Sequence, residues 1–255
     1  LRATADRQGA LCLRRTGLTG AALVTGGARR LGRAMALCLA GRGLDVAVHY
    51  STSQGDADAV VGEIRAMGRK AVALGADLLD ETETEGLIER AAGALGGPLT
   101  VLVNNASIFE YDTIQTATRD SWDRHIGSNL RAPFVLIQGF AAQAPRANII
   151  DGEPRAQALV INMVDQRVLK PTPEFMTYSL AKAGLWALTR TAAQALAPDI
   201  RVNAIGPGPT MQGARQSEAH FKSQRAATIL GRGANPEDVT AALGYFLDAG
   251  SVTGQ

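Results

Sequence analysis

Cysteine, excess charge of one sign and long hydrophobic runs are all scarce in this sequence of 255 residues. The two cysteines, Cys12 and Cys38, are too few for a disulfide-stapled secreted domain and lack the spacing of a zinc site, so no metal is expected. Lysine and arginine number 26 against 24 acidic residues, which does not indicate a nucleic-acid surface. The sequence contains no run of about 18 apolar residues, the length that would indicate a membrane span. These absences favour a cytoplasmic protein whose partners are small molecules.

The two ends of the chain carry little pattern. Residues 1–18 contain four arginines and no sustained apolar stretch, so they do not read as a secretory signal and are expected to be flexible. Residues 19–255 are expected to form one domain, since no linker rich in proline, glycine or serine divides them. The chain stops at Gln255, after an apolar helical stretch (Val239–Leu247), where another strand is expected to begin, so an incomplete C-terminus is expected.

From Ala21 onward, short apolar or β-branched runs alternate with longer amphipathic stretches. Strands are predicted at Ala21–Thr25, Leu44–Tyr50, Ala71–Leu74, Leu99–Asn104, Ala158–Met163 and Ile200–Ile205. Helices are predicted at Arg30–Ala40, Gln54–Met67, Glu81–Ala94, Ser121–Gln143 and Met176–Leu196. This alternation is typical of βα units, which build a parallel sheet covered by helices. The predicted fold is therefore α/β, a single doubly wound parallel β-sheet with helices on both faces.

The segment 206–232 is less regular than the rest of the chain. Pro207 and Pro209 interrupt it before a polar helical stretch begins. A segment of this kind that follows a strand directly often covers a pocket. We therefore call residues 206–232 the covering segment and expect it to contact a substrate; the alternative is a plain surface insertion.

A glycine-rich stretch, Thr25–Gly32, joins the first predicted strand to the first helix. Glycine allows the backbone to turn tightly and to approach a pyrophosphate, and a helix N-terminus favours negative charge. The stretch therefore predicts a dinucleotide site, although a sharp turn without a ligand is the alternative. The predicted cofactor-binding residues in it are Thr25, Gly26, Arg29, Arg30, Leu31 and Gly32.

The end of the second predicted strand indicates which dinucleotide binds. An acidic residue there would bind the ribose 2′-hydroxyl and repel a 2′-phosphate. The chain instead reads His49, Tyr50, Ser51, Thr52 and Ser53, with no carboxylate before Asp56. Together with the arginines of the glycine-rich stretch, these residues favour NADPH over NADH, although for His49 itself the favoured interpretation is an ordinary strand residue.

Tyr178 and Lys182 are four residues apart and therefore share one face of a helix. Tyrosine has an ordinary pKa of about 10, and a neighbouring ammonium group lowers that pKa because it favours the phenolate. The pair thus predicts a proton-transferring tyrosine. Taken alone, the same spacing also fits an ordinary helix surface.

Five motifs, in this order along the chain, resemble the short-chain dehydrogenase/reductase superfamily: Thr25–Gly32, Asn104-Asn105-Ala106, Asn129, Tyr178–Lys182 and Pro207-Gly208. The resemblance covers residues 21–255 and implies a Rossmann-type fold, NADPH as cofactor and a homotetramer. It implies that Tyr178 is the general acid, that Lys182 binds the nicotinamide ribose and acts on Tyr178, and that Asn129 holds a water in the proton relay. It also implies cofactor contacts by Asp77, Asn105, Ala106, Ser107, Pro207 and Gly208.

Two departures from the usual pattern of that superfamily resemble its pteridine reductase branch. Asp165 stands thirteen residues before Tyr178, where most relatives have serine, and Arg30 replaces the middle glycine of the first motif. Phe109, shortly after Ser107, matches the aromatic residue that stacks on the pterin in this branch. A pterin offers ring nitrogens and an amino group that a carboxyl group can bind, and Asp165 can also deliver a proton.

Each departure also has a simpler explanation. Phe109 can belong to the core, Arg30 can bind only phosphate, and Asp165 can cap a loop. The branch commonly has an arginine at the position of Thr52, so its absence weakens the case for strong 2′-phosphate binding. His125 and His220 are expected at solvent-facing helix positions.

The sequence therefore leads to one main hypothesis and two alternatives. The main hypothesis is an NADPH-dependent reductase of a pteridine, in which Tyr178 and Asp165 supply protons. The predicted substrate-binding residues are Arg30, Ser107, Phe109, Asp165 and Tyr178. The first alternative is a reductase of ketones or 3-oxoacyl thioesters. The second is a non-catalytic NADPH-binding sensor or scaffold.

Overall fold

The computed structural model of the chain describes residues 18–213 and 216–255. Its strands are β1 (Ala21–Val24), β2 (Asp45–Tyr50), β3 (Ala71–Gly75), β4 (Leu99–Asn104), β5 (Asn148–Ile150), β6 (Glu153–Arg155), β7 (Ala158–Met163) and β8 (Ile200–Ile205). Its α-helices are α1 (Arg30–Gly41), α2 (Gln54–Ala66), α3 (Glu81–Glu85), α4 (Leu87–Leu95), α5 (Arg119–Ile126), α6 (Ala132–Gln143), α7 (Met176–Leu196), α8 (Glu218–Ala226) and α9 (Pro236–Asp248). Of the segment expected to be flexible, residues 1–17 lie outside the described residues.

Six of the strands form one parallel sheet in the order β3-β2-β1-β4-β7-β8. Alternate residues of a strand face opposite sides. Thus Ala22 and Val24 of β1 pack into the core formed with α1, α2 and α9, whereas Ala21 and Leu23 pack into the core formed with α4, α6 and α7. The predicted Rossmann-type α/β fold, with helices on both faces of a doubly wound sheet, is confirmed.

The long helix predicted from Ser121 is interrupted. It begins at Arg119, after a capping box between Thr118 and Ser121, and contains a π-helical turn at Gly127–Arg131 before α6. Pro133 has no N–H to donate to the carbonyl of Asn129, four residues earlier, and its ring would clash with that carbonyl. The wider turn avoids this conflict and marks the position of Asn129 in the helix.

The helix predicted at Glu81–Ala94 consists of two short helices, α3 and α4, which meet at Gly86. Glycine is a poor helix former, and the sequence prediction did not take it into account. A hairpin of β5 and β6 was not predicted either. Its turn residues, Asp151 and Gly152, both have positive φ, and Asp-Gly is a common pair in two-residue hairpin turns.

The end of the chain lies against the edge of β8. The Gly254 N–H donates to the Val202 carbonyl at 2.8 Å, and the Ala204 N–H donates to the Gln255 carbonyl. These two bonds hold the last residues against β8, but residues 252–255 do not form the strand that the sequence predicts. No helix among the described residues is long and apolar enough to cross a membrane.

Gly32 provides a test of the packing around the glycine-rich stretch. A Cβ atom at Gly32 would overlap the Gly26 carbonyl oxygen and lie 2.6 Å from Asn105 Nδ2, whereas a Cβ at Gly41, in the same helix, would meet nothing within 4 Å. Gly32→Ala is expected to lower the free energy of unfolding by about 1–3 kcal/mol because of overpacking. Gly41→Ala is the control and should be neutral or slightly stabilising. Urea unfolding measures both, and equal effects would contradict this packing argument.

Candidate active site

A buried hydroxyl joins the two loops that follow β1 and β4. Thr25 Oγ1 accepts hydrogen bonds from the N–H groups of Asn105 and Ala106, at 2.9 and 3.0 Å. Asn105 Nδ2 donates to the Thr25 carbonyl at 2.9 Å. β1 and β4 are neighbours at the centre of the sheet, and the crevice at the carboxyl ends of such strands is where doubly wound folds bind ligands. Thr25 therefore holds together the two loops that border this crevice.

His49 holds the glycine-rich stretch from inside the protein. Its side chain is buried, its Nδ1 accepts a hydrogen bond from the Gly26 N–H at 3.0 Å, and its Nε2 lies 3.0 Å from the Ala76 carbonyl. Burial lowers the pKa of His49, which favours the neutral ring that can accept at one nitrogen and donate at the other. The prediction that His49 binds the cofactor is wrong, because both ring nitrogens bond within the protein.

The other predicted cofactor-binding residues of this region lie at the end of β2 and in the loops after β2 and β3. Tyr50 is half-buried, while Ser51, Thr52 and Asp77 are exposed. Arg29 forms an ion pair with Asp56 at 2.5 Å. A carboxylate that the sequence places beyond the end of the strand thus reaches one of the predicted phosphate-binding arginines.

Arg30 connects the glycine-rich stretch to the covering segment. Its backbone has a φ of 52°, a conformation that favours glycine, which is the usual residue at this place in the family it resembles. Its guanidinium donates to the carbonyls of Gln212 and Met211, at 2.8 and 3.0 Å. Residues 211 and 212 of the covering segment therefore lie against the glycine-rich stretch, which favours a cover over a plain surface insertion. That this segment contacts a substrate stays a prediction.

A cavity of about 490 Å³ lies between these loops. It brings together many of the predicted residues: Gly26, Arg29, Arg30, Leu31, Gly32, Asn105, Ala106, Ser107, Phe109, Asp165, Pro207 and Gly208. Thr25, Asn129, Tyr178 and Lys182 are buried and are not part of its lining. His49, Tyr50, Ser51, Thr52, Ser53 and Asp77 do not line it either.

Asp165 connects this cavity to the buried Tyr178. The Tyr178 hydroxyl donates to Asp165 Oδ2 at 3.0 Å, while Asp165 Oδ1 accepts from the Arg167 N–H at 2.8 Å. Asp165 thus also caps the short 3₁₀ turn at Gln166–Val168, as the simpler explanation suggested. Burial, followed by the Asp165 carboxylate, raises the pKa of Tyr178 above its ordinary value.

Lys182 is wholly buried beneath Tyr178. Its Nζ donates to the Met163 carbonyl at 2.7 Å and lies 5.8 Å from the centre of the Tyr178 ring. Burial lowers the pKa of Lys182 to about 8, against a raising effect of Asp165. The expectation that Lys182 lowers the pKa of Tyr178 is wrong for this structure, because burial and the nearer carboxylate decide the direction.

Two side chains on successive turns of one long helix hold the loop that carries Phe109. Asn129 accepts from the Ile108 N–H at 2.9 Å and donates to the Ile108 carbonyl at 2.8 Å. His125 Nε2 accepts from the Glu110 N–H at 3.1 Å. The residues on both sides of Phe109 are therefore fixed by their backbones.

His125 also leads to the helix of Tyr178 through a buried polar chain. Its Nδ1 lies 2.7 Å from Thr177 Oγ1, which donates to Asp112 Oδ2. Asp112 Oδ1 accepts from the Thr177 N–H and so caps the start of α7. The expectation that His125 faces solvent is wrong, since its side chain is fully buried, whereas His220 is exposed on α8.

Phe109 is an exposed ring and does not belong to the core, since 47% of its surface is accessible. It stacks on Phe175 with ring centres 4.2 Å apart and planes 8° from parallel. The Phe109 and Tyr178 rings also lie edge to face, with centres 4.7 Å apart and planes at 75°. The sequence prediction missed Phe175, Thr177 and Asp112; the position of Phe175, three residues before Tyr178, was the available signal.

The sequence matches a known protein family and is similar to characterised relatives. A model of the short chain dehydrogenase family matches residues 20–222. The chain is 36% identical over 192 residues to the 3-oxoacyl-(acyl-carrier-protein) reductase of Staphylococcus aureus, which covers 75% of this chain and 74% of that one.

Solved structures are similar over most of their length. The FolM alternative dihydrofolate reductase 1 from Brucella suis, crystallised in complex with NADP, has a TM-score of 0.85 and 40% identity, over 92% of this chain and 91% of that chain. A short chain dehydrogenase from Burkholderia cenocepacia, also in complex with NADP, has a TM-score of 0.83 and 32% identity, over 92% of this chain and 94% of that chain.

The lowered pKa of Lys182 predicts a pH dependence of stability. Between the folded value of about 8 and the ordinary value of 10.5, the unfolded chain binds more protons than the folded one, so this group's penalty on folding shrinks as pH rises. The free energy of unfolding of the wild type, relative to Lys182→Met, is expected to rise by about 2 kcal/mol from pH 7.5 to 10. Urea unfolding at both pH values measures it, with Lys170→Met, an exposed lysine, as the control. A constant difference would contradict the shift.

Proposed function

This chain belongs to the short-chain dehydrogenase family, and on that premise we propose that it is an NADPH-dependent reductase of a pteridine of the dihydropterin or dihydrofolate kind. The proposal rests on two contacts of the proposed proton donor, Tyr178, one with a carboxylate and one with an exposed aromatic ring. Asp165 accepts from the Tyr178 hydroxyl, and Phe109 lies against the Tyr178 ring. A flat heterocycle with ring N–H and amino groups can use both partners at once.

The glycine-rich stretch fits a dinucleotide. Gly26 has a φ of 58°, and a Cβ there would lie 3.1 Å from Ala106 Cα, so only glycine leaves the backbone open at this turn. The first turn of α1 contains no acidic residue, and no side chain caps its N-terminus. Arg29 and Arg30 line the cavity beside it, and the charge of Arg30, which is bound only to carbonyl groups, supports binding of phosphate groups, whereas Arg29 is paired with Asp56. Two similar structures are NADP complexes, which further supports NADPH as the hydride donor.

The chain's own residues would orient the substrate and supply a proton. The side chains of Asn129 and His125 accept hydrogen bonds from the backbone on either side of Phe109 and so fix its position. Phe175 stacks on one face of the Phe109 ring. A flat ring on the opposite face would lie parallel to Phe109 with little freedom to rotate. This arrangement favours a planar substrate over a flexible chain.

Tyr178 is suited to act as the acid. Its hydroxyl is protonated at neutral pH and donates to Asp165, which lines the cavity. Because a raised pKa makes a phenol a weaker acid, proton transfer from Tyr178 requires that a bound cofactor and substrate lower this pKa again. Protonation of the nitrogen of a C=N bond completes the reduction when hydride reaches the carbon. Lys182 is held by the Met163 carbonyl, so it provides a fixed positive charge below Tyr178.

A second candidate is a 3-oxoacyl thioester reductase, because the chain is similar to the Staphylococcus aureus enzyme of that name. Asp165 argues against it. A ketone offers only an acceptor oxygen and has no N–H group for the Asp165 carboxyl group to bind. The homotetramer implied by the resemblance and the cytoplasmic location favoured by the composition stay predictions.

The test is the loss of NADPH absorbance with dihydrobiopterin, dihydrofolate and a 3-oxoacyl thioester. We expect turnover of the pteridines, and Tyr178→Phe should lower kcat at least about 100-fold because the proton donor is lost. Tyr245→Phe, which changes an exposed tyrosine, is the matched control. Turnover of the thioester alone would replace the proposal with the second candidate. No turnover with bound NADPH would favour a sensor or scaffold.

The buried chain from His125 to Asp112 gives a separate prediction. Thr177→Val removes the hydroxyl that links both groups and should lower kcat about tenfold, because the Phe109 loop and the start of α7 lose their fixed spacing. Thr177→Ser keeps the hydroxyl and should stay within about twofold of the wild type. The affinity for NADPH, measured by fluorescence titration, should be the same in all three proteins. Equal kcat values for the two variants would refute a role for this hydroxyl.

A further inference from the structure

A second cavity lies beside the proposed catalytic one, and we infer that it binds an anionic aryl substituent of the substrate, with Arg167 as the cation. This inference rests on the proposed function, since the substituent must be carried by a ring held on Phe109. The cavity has a volume of about 760 Å³. Aromatic rings, one arginine and polar side chains in and just before α8 line it.

The two cavities are continuous in their lining. Phe109, Arg167, Gly213 and Gln216 line both of them. A ring stacked on Phe109 therefore has one edge at the catalytic cavity and the other toward the second cavity. Any substituent on that outer edge would enter the second cavity.

One wall of the second cavity is aromatic. Tyr111 is 59% exposed, and its ring meets the Phe175 ring edge to face, with centres 5.3 Å apart. Phe175 in turn stacks on Phe109. Exposed aromatic rings beside a cavity favour an aryl group over a short alkyl chain, because they offer flat faces and edges for ring contacts.

The charge of the lining favours an anion. Arg167 carries the positive charge, and none of the described lining residues is an aspartate or glutamate. Its side chain is only 18% exposed, its Nη1 donates to Thr172 Oγ1, and its guanidinium lies 5.0 Å from the Phe175 ring centre. Arg167 forms an ion pair with Asp165, in which Nε and Oδ1 are 4.0 Å apart, beyond hydrogen-bond distance. Because this carboxylate forms no hydrogen bond with the guanidinium, and because the guanidinium has little water around it, Arg167 is suited to bind a second carboxylate.

The polar wall opposite consists of α8 and the residues before it. Gln216, Ser217, His220 and Gln224 lie there, and Gln216 Nε2 donates to Gln224 Oε1 at 2.7 Å. This wall carries amide and hydroxyl groups and can accommodate an amide in the substituent. A substituent that contains an aryl ring, an amide and a carboxylate matches the aromatic wall, the polar wall and Arg167 in turn.

The test compares two substrates in wild type and in Arg167→Gln. Dihydrofolate carries an aryl amide with carboxylates, whereas dihydrobiopterin carries a short neutral side chain. The ratio of kcat/KM for dihydrofolate to that for dihydrobiopterin is expected to fall about tenfold in Arg167→Gln, mainly through the KM for dihydrofolate. Arg190→Gln, which changes an exposed arginine of α7, is the control and should keep the ratio of the wild type.

A binding measurement separates this inference from the proposed function. 4-Aminobenzoyl-glutamate, the free substituent, should bind to the NADPH-loaded wild type in calorimetry and bind at least about tenfold more weakly to Arg167→Gln. If neither pteridine is reduced but this selective binding is seen, the cavity assignment stands and the proposed function fails. If both pteridines are reduced, the ratio is unchanged in Arg167→Gln and the fragment does not bind, the cavity assignment is wrong while the proposed function stands.

Discussion

The candidate site depends on one loop, residues 105–112, being held at four places along its length. Thr25 binds the backbone at its start, Asn129 binds residue 108 and His125 binds residue 110. Asp112, at its end, caps the helix that carries Tyr178. Each bond comes from a different element or a different turn, so the loop cannot move without disturbing the sheet or a long helix. This constraint gives Phe109 a fixed orientation even though its ring is exposed.

The sequence predicted the elements that repeat a local pattern. Apolar strands and amphipathic helices identified the parallel sheet, and Tyr178, Asp165 and Phe109 were found from their spacing in family motifs. The buried polar chain was not predictable in this way. His125 and Thr177 are 52 residues apart in the chain, and no local pattern distinguishes a histidine inside the fold from one on a helix surface. The interruption at Gly86 and the Asp151-Gly152 turn had local signals that the prediction did not use.

The pKa of Tyr178 shows why the spacing of two residues in the sequence is a poor guide to the pKa of either side chain. Tyr178 and Lys182 share a helix face, and this local relation suggests a lowered tyrosine pKa. In the folded chain, the hydroxyl is buried and donates to Asp165, which comes from a different loop, while the ammonium group donates to Met163. The environment assembled by the fold therefore reverses the direction. The result is a hydroxyl that stays protonated at neutral pH in this environment.

Arg30 carries a consequence for how this chain can change in evolution. It occupies a backbone conformation that glycine adopts more easily. Its side chain nevertheless bonds to Met211 and Gln212, which follow it by 181 and 182 positions in the chain. Replacement by glycine would relieve the backbone at the same time as it untied Met211 and Gln212. Because both partners are backbone carbonyls, substitutions of Met211 and Gln212 can keep these bonds, whereas loss of the Arg30 side chain removes both. The conformational cost of one residue is thus offset by the order it imposes on a distant part of the molecule.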